Sequence, residues 1–311
     1  MSFTTEIKNE IAKTDLTRSE AISELAGFVR NNASIADNKL FLTTENPSIA
    51  KSLLKLFKEI YDIKLEIETT KNTNLSKKTL YLLKIDKKVD FILQALNYYD
   101  ENNKYLGRPN EYLVGSEEEI RSYIRGVFLS QGSVNDPKTS RYHMELLIDE
   151  PEEAIFVQKL VNAFDMNAKL LNRDKGYMVY LKEAEKISDF LKLIHAHQAV
   201  MYYENIRAYR ENINKTNRLN NCEQANMDKI IETATKQVKD IEVLDEAMGI
   251  DLLDDKLKEA CIYRLKYPET SLQELSEIIS IETDKKITKS GLNHRFRKIR
   301  EMANKIKEDN N

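Results

Sequence analysis

The chain has 311 residues, with 48 lysines and arginines against 51 aspartates and glutamates, so its formal net charge at pH 7 is −3. This length allows two or three domains with hydrophobic cores of their own. The near balance of charges excludes a uniformly basic coat for nucleic acid, whereas a local basic patch is compatible with these totals.

The N-terminal stretch MSFTTEIKNEIAK is polar and amphipathic, and it lacks the apolar core of a signal peptide. No apolar run approaches the roughly 20 residues that are needed to span a bilayer. The only cysteines, Cys222 and Cys261, match no CxxC spacing, which favours two reduced thiols over a disulfide. We therefore expect a soluble, cytoplasmic protein with no membrane partner.

The N-terminal part of the chain contains an internal repeat. The first copy reads LAGFVRNNASI, KLFLTT, ENPSIAKSLLKLFKEIYDIKLEIE, TLYLLKI and DFILQAL, and the second reads IRGVFLSQGSV, YHMELLI, DEPEEAIFVQKLVNAFDMNAKLLN, GYMVYLK and DFLKLI. Each copy predicts an apolar helix, a strand, an amphipathic helix, two strands and a short helix. Pro47 and Pro151 lie at matching points, each just inside a predicted helix start, where the missing N–H costs no hydrogen bond. The repeat predicts a pseudo-twofold α+β domain.

A glycine stands among bulky apolar residues at the start of each copy, as Gly27 in LAGFV and Gly126 in IRGVF. Glycine inside a helix costs about 1 kcal/mol relative to alanine. It is tolerated where another backbone must come close. The pair therefore predicts two helices that face each other across the pseudo-twofold, with incidental small core residues as the alternative.

These helices resemble the paired motif helices of the LAGLIDADG homing endonucleases, which pack at a pseudo-twofold and each end in an acid that holds a divalent metal over DNA. In an ungapped comparison, Asn32 and Gln131 stand at the two acid positions. Mg²⁺ prefers anionic oxygen ligands, so neutral amides are poor substitutes. This departure from the family's pattern predicts a scaffold with no catalytic residue, metal or cofactor. Asp37 and Asp136 lie nearby, but outside the motif register.

After the repeat, the stretch NKTNRLNNCEQAN is rich in asparagine and poor in large apolar residues, which predicts a linker or loop over residues 209–224. Its amides and Arg218 are interpreted as caps of neighbouring helices rather than as phosphate contacts. Further on, residues 256–266 predict a helix that stops before Pro268. The capping box SLQE, which begins at Ser271, opens another helix.

The last predicted helix is strongly basic, because residues 285–307 hold nine lysines or arginines and one acid, Glu301. Its apolar residues recur at helical spacing as Leu292, Phe296, Ile299 and Ala303. The residues predicted to contact DNA are Lys286, Lys289, Ser290, Asn293, His294, Arg297, Lys298 and Arg300. Asn293 and Arg297 can pair bidentately with adenine and guanine, and the first two lysines and Arg300 are expected nearer the phosphates. A helix-turn-helix that binds double-stranded DNA is predicted, with a solvated charged face as the alternative.

A second resemblance rests on five stretches, namely FLSQGSVNDP (128–137), KGYMVYLKEAEKI (175–187), AHQAVMYYENIR (196–207), TNRLNNCEQAN (216–226) and ITKSGLNHRFRKI (287–299). Through these stretches nearly the whole chain resembles the WhiA family of bacterial regulators. The resemblance implies a degenerate homing-endonuclease domain followed by an all-α helix-turn-helix domain. It also implies a transcriptional regulator associated with cell division and chromosome segregation, and with sporulation in some relatives. The expected segments are 1–110 and 111–208 for the two repeats, 209–224 for the linker and 225–311 for the DNA-binding domain.

We favour a nucleoid-associated DNA-binding regulator that is not an enzyme. The near-neutral repeat leaves a second interpretation open, in which it binds a protein partner or a small ligand and DNA binding is secondary. A third interpretation, an endonuclease that uses Asp136, is disfavoured by Asn32 and Gln131. His195 and His197 point to different faces of a helix and do not predict a metal site.

Overall fold

The computed structural model describes residues 1–71, 79–139 and 141–309. They form two compact units, Met1–Arg210 and Glu211–Asn311. The boundary lies inside the segment that the sequence predicts as a linker. No helix in these three ranges is both long and apolar enough to cross a membrane.

The first unit contains the two copies of the repeat. Helix α1 (Phe3–Ile11) precedes the first copy, which consists of α2 (Arg18–Arg30), β1 (Ser34–Ala36), β2 (Lys39–Thr44), α3 (Pro47–Tyr61), β3 (Glu66–Lys71), β4 (Thr79–Ile85) and α4 (Val89–Ala95). A 3-10 turn, Glu111–Val114, leads to the second copy, which consists of α5 (Glu117–Gln131), β5 (Gly132–Val134), β6 (Met144–Ile148), α6 (Pro151–Asn162), β7 (Lys169–Arg173), β8 (Gly176–Leu181) and α7 (Ala184–Leu193). The predicted α+β repeat is confirmed, with two short strands, β1 and β5, that the sequence patterns did not predict.

The two antiparallel sheets have the same strand order, β1-β2-β4-β3 and β5-β6-β8-β7. Corresponding helix starts also use the same local chemistry. Both α2 and α5 begin with a capping box, formed by Thr17 with Glu20 and by Ser116 with Glu119. Both α3 and α6 begin at a proline, as the matching prolines predict. The two copies therefore share both their strand order and the local sequence signals that begin their helices.

Helices α2 and α5 pack directly against each other through the two predicted glycines. A Cβ atom on Gly27 would collide with the carbonyl oxygen of Tyr123, and one on Gly126 would collide with the carbonyl oxygen of Glu24. Neither glycine can gain a methyl group unless the backbones move apart. The predicted contact between the helices is confirmed.

Two buried ion pairs accompany this contact. Glu24 and Arg125 pair across it, with their side chains 4% and 1% exposed, and burial raises the pKa of the Glu24 carboxyl while Arg125 opposes that shift. Arg30 pairs with Glu153 at 3.1 Å, with side chains 1% and 2% exposed. Such pairs constrain the register of the helices, because sliding one helix along the other would leave an unpaired charge in the core.

The second unit is helical. Helix α8 (His197–Met248) crosses the boundary between the units, and α9 (Asp255–Lys266), α10 (Leu272–Thr283) and α11 (Lys289–Asp309) follow. The predicted loop over 209–224 is wrong, since this segment is helical. Every side chain from 211 to 229 is exposed, so it lacks the apolar stripe by which an amphipathic helix is recognised. Asparagine is only a weak helix breaker, and the sequence contains no glycine or proline between Gly176 and Gly249.

Candidate nucleic-acid interface

The last three helices pack around a separate small core. Leu275 and Ile279 of α10 are fully buried in it, together with Ala260 and Cys261 of α9. All four residues of the stripe predicted on α11 are at most 3% exposed: Leu292, Phe296, Ile299 and Ala303. The inward face of the basic helix is therefore fixed by packing.

The turn between α10 and α11 is held by short hydrogen bonds. The predicted capping box opens α10, with Ser271 accepting the N–H of Glu274. Asp284 directly follows the last residue of this helix and adopts a left-handed φ of 55°. The Ile287 N–H then donates to the Ser280 hydroxyl at 3.0 Å, and Thr288 caps α11 by accepting the Gly291 N–H at 3.1 Å. A capped helix, a fixed turn and a second capped helix form a helix-turn-helix.

The outward face of α11 carries five of the residues that the sequence predicts to contact DNA, including Asn293 and Arg297, which are predicted to contact bases. The exposed side chains are Ser290, Asn293, His294, Arg297 and Lys298. Helical spacing places the first four on one face, opposite the buried stripe. Arg297 lies 3.0 Å from the His294 ring nitrogen Nδ1 and 3.8 Å from the Glu301 carboxylate. The structure thus brings the candidate base-contacting residues together on one surface.

The basic residues of this stretch divide into two groups. Arg295 is neutralised by Glu259 at 2.8 Å, and Lys307 by Asp240 at 3.1 Å. Arg300 lies 3.7 Å from the same Asp240 carboxylate, so part of its charge is already compensated. Among the residues that the structure describes, Lys286, Lys289, Lys298 and Lys305 are exposed and pair with no acid. Uncompensated positive charge therefore extends from the start of α11 to its later turns.

Asn32 stands where the homing endonucleases have their first acid, and its side chain has a structural role in the repeat. Its amide nitrogen donates to the Thr43 carbonyl at 3.0 Å, and its amide oxygen accepts the Thr43 N–H at 2.8 Å. Gln131, at the second position, is exposed and donates to the Asn31 carbonyl at 3.3 Å. Neither amide offers an anionic ligand, and the Asn32 amide already serves strand β2. These residues do not fit a divalent metal.

The other polar candidates of the repeat are also engaged locally. The Asp136 carboxylate accepts the Lys138 N–H at 2.9 Å and the Tyr202 hydroxyl at 3.3 Å, which holds its loop. Asp37 lies in the two-residue turn between β1 and β2, with a φ of 50°. Within the described ranges, no group of three His, Cys, Asp or Glu side chains is arranged to hold a metal ion.

Replacing Asn32 with aspartate is expected to destabilise the repeat unit by about 1–3 kcal/mol, because the carboxylate cannot donate to the Thr43 carbonyl. Chemical denaturation measures this loss. The control is Gln131→Glu, which changes an exposed side chain and is expected to alter stability by less than about 0.5 kcal/mol. Equal stability of Asn32→Asp and the wild type would show that the paired hydrogen bonds are dispensable.

Comparison with known proteins agrees with this architecture. Three family profiles match the chain: WhiA N-terminal LAGLIDADG-like domain over residues 18–99, WhiA LAGLIDADG-like domain over 120–212 and WhiA C-terminal HTH domain over 216–303. A probable cell division protein WhiA from Lactobacillus johnsonii is 40% identical over 315 residues, which cover 100% of both chains. The chain belongs to the WhiA family.

Other WhiA proteins extend this result. A probable cell division protein WhiA from Exiguobacterium sibiricum is 38% identical over 99% of this chain and 97% of its own. The crystal structure of full-length WhiA from Thermotoga maritima covers 98% of this chain and 99% of its own, with a TM-score of 0.60 and 23% sequence identity. That similarity shows the same fold. The WhiA family thus accounts for both the degenerate repeat and the helix-turn-helix.

Proposed function

We propose that this member of the WhiA family is a sequence-specific DNA-binding transcriptional regulator that acts in cell division and chromosome segregation. The observation that carries the proposal is the outer face of α11, where Asn293 and Arg297 lie beside uncompensated lysines and opposite a buried stripe. This is the arrangement with which a recognition helix reads base edges in the major groove. The relatives named as cell division proteins support the cellular role, and sporulation is the corresponding role proposed for sporulating members.

In this proposal the repeat is a catalytically inactive scaffold. The Asn32 amide is committed to Thr43, which supports a structural role for the former acid position. Binding would be non-covalent, with α11 giving specificity and Lys286, Lys289 and Arg300 adding contacts to phosphates. A location at the nucleoid follows from the same proposal.

A second role is proposed for the repeat unit, namely binding a protein partner or a small ligand. A cavity of about 550 Å³ lies at the ends of α2 and α5, and it is lined by Asn31, Asn32 and Gln131 together with three tyrosines. Amides and aromatic faces can recognise a polar ligand without a metal. DNA binding would then be secondary, and mutations in this cavity would change function while leaving DNA affinity unchanged.

The test is a selection of random-library duplex DNA by the full-length protein with Mg²⁺ present. We expect bound DNA to share a common motif and to stay intact. The affinity for the selected duplex should fall with salt, with a logarithmic slope of about −0.9 per neutralised phosphate. If the bound DNA shares no motif, the proposal of sequence-specific recognition is wrong. If its strands are cut, the proposal that the repeat is catalytically inactive is wrong.

A further inference from the structure

A cavity of about 380 Å³ lies in the second unit beside the start of α10. Three cationic side chains line it, Lys229 of α8, Arg264 of α9 and Lys289 of α11, and no acidic residue does. The other polar residues of its lining are Thr233, Thr270, Ser271 and Gln273. Cationic residues of three helices therefore meet at one cavity that opens to the surface.

Arg264 is the unusual member of this lining, because its side chain is charged and only 1% exposed. Its guanidinium donates to the Gln237 amide oxygen at 3.0 Å and to the carbonyl oxygens of Tyr267 and Thr270 at 3.2 and 2.6 Å. It also lies 5.4 Å from the centre of the Phe296 ring. All of these partners are neutral, and none of the acids that the structure describes forms an ion pair with it.

A buried cation without an anionic partner is costly to keep in a fold. Burial lowers the pKa of the Arg264 guanidinium to about 10, so it still carries its charge at neutral pH. The hydrogen bonds orient the guanidinium but leave its charge uncompensated. An anion in the adjoining cavity would supply the missing partner.

The first turn of α10 adds to the positive potential. Ser271 and Glu274 cap each other's N–H groups. The N–H groups of Leu272 and Gln273 have no acceptor among the described residues, and both residues line the cavity. Free N–H groups and the helix dipole at such a terminus favour an anion, and phosphate in particular. Glu274 lies at the cap but does not line the cavity.

We propose that this cavity binds a phosphate group, with Arg264 as its buried counter-ion and Lys229 and Lys289 at its mouth. The group is either a backbone phosphate of bound DNA or part of a free phosphorylated ligand. The first source rests on the proposed function, and the second does not. An arginine and lysines at a helix N-terminus suit the charge and the several acceptor oxygens of phosphate.

Free phosphate is tested by ³¹P NMR of inorganic phosphate mixed with the full-length protein at constant ionic strength. The wild type is expected to broaden the resonance, and Lys229→Ala to weaken the apparent affinity about five- to tenfold, which corresponds to about one lost charged hydrogen bond. The matched control is Lys239→Ala, an exposed lysine of the same helix that does not line the cavity. Arg264→Gln, checked for folding by circular dichroism, is expected to lose the broadening altogether.

DNA phosphate is tested by titrating a duplex with the same variants over a range of salt concentrations. If a backbone phosphate occupies the cavity, Lys229→Ala reduces the salt slope by about 1 and Lys239→Ala leaves it unchanged. A lower slope therefore assigns the site to DNA, whereas loss of ³¹P broadening alone assigns it to a free phosphorylated ligand. If Lys229→Ala matches Lys239→Ala in both measurements, the proposal is overturned. If the wild type binds no DNA, the proposed function fails while the NMR measurement still decides the site.

Discussion

Replacing Arg125 with methionine is expected to lower the free energy of unfolding of the repeat unit by about 3–5 kcal/mol, because Glu24 is left buried without its counter-ion. The Glu24 and Arg125 side chains are only 4% and 1% exposed, so water cannot solvate the Glu24 charge that is left without its partner. Urea denaturation followed by tyrosine fluorescence measures it. Of the 15 tyrosines, 13 lie within residues 1–210 and the chain has no tryptophan, so this signal reports mainly on the repeat unit.

The loss in free energy of unfolding that Arg125→Met causes should depend on pH. Burial already raises the pKa of Glu24, and without Arg125 that pKa rises further. A raised carboxyl pKa contributes stability below its unfolded value and loses that contribution as the pH rises through the folded value. The deficit should therefore be largest at neutral pH and should shrink as the pH falls toward the ordinary glutamate value of about 4.3.

The control for this experiment is the double variant Glu24→Gln/Arg125→Met. It leaves no buried charge, so it should recover part of the lost stability and should lose the pH dependence. If Arg125→Met proves as stable as the wild type at neutral pH, the pair is not a buried charged contact.

Replacing Arg297 with alanine is expected to weaken binding to the selected duplex by about 1–3 kcal/mol and to relax the preference at one base position. The guanidinium can donate two hydrogen bonds to the O6 and N7 atoms of a guanine only if it leaves its neighbours His294 and Glu301 on the exposed face. Fluorescence anisotropy on the selected duplex and on single-base variants measures both effects.

Lys305→Ala provides the matched control, since it removes an exposed positive charge from the later part of α11. It should reduce affinity little and leave base preference unchanged. A loss for Arg297→Ala that is equal on all sequences would make Arg297 a phosphate contact. No loss at all would remove this face of α11 from the proposed interface.

Local sequence signals predicted much of the fold, because they act over only a few residues. The SLQE capping box opens α10, and Pro47 and Pro151 begin α3 and α6. The stripe from Leu292 to Ala303 correctly gave the buried face of α11, and thereby the exposed side chains opposite it. These features depend on helix geometry and on hydrogen bonds within one turn.

Features that depend on tertiary contacts were not predictable. Arg264 lies in the polar stretch YRLKYP, and nothing there distinguishes it from its exposed neighbour Lys266. Glu24 and Arg125 are charged residues within apolar runs, which is a signal for a buried ion pair, but their pairing depends on how α2 meets α5. The exposed segment 211–229 has no periodic apolar residues, so its helix could not be recognised from patterning.

The paired hydrogen bonds between Asn32 and Thr43 have an evolutionary consequence. A change of Asn32 to aspartate would remove the donor to the Thr43 carbonyl of β2 without completing a metal site, because the partner position, Gln131, would still be neutral. The first step toward a pair of metal-binding acids is therefore expected to lower stability without completing a metal site. The Asn32 amide therefore couples the position at which the homing endonucleases have an acid to the stability of strand β2.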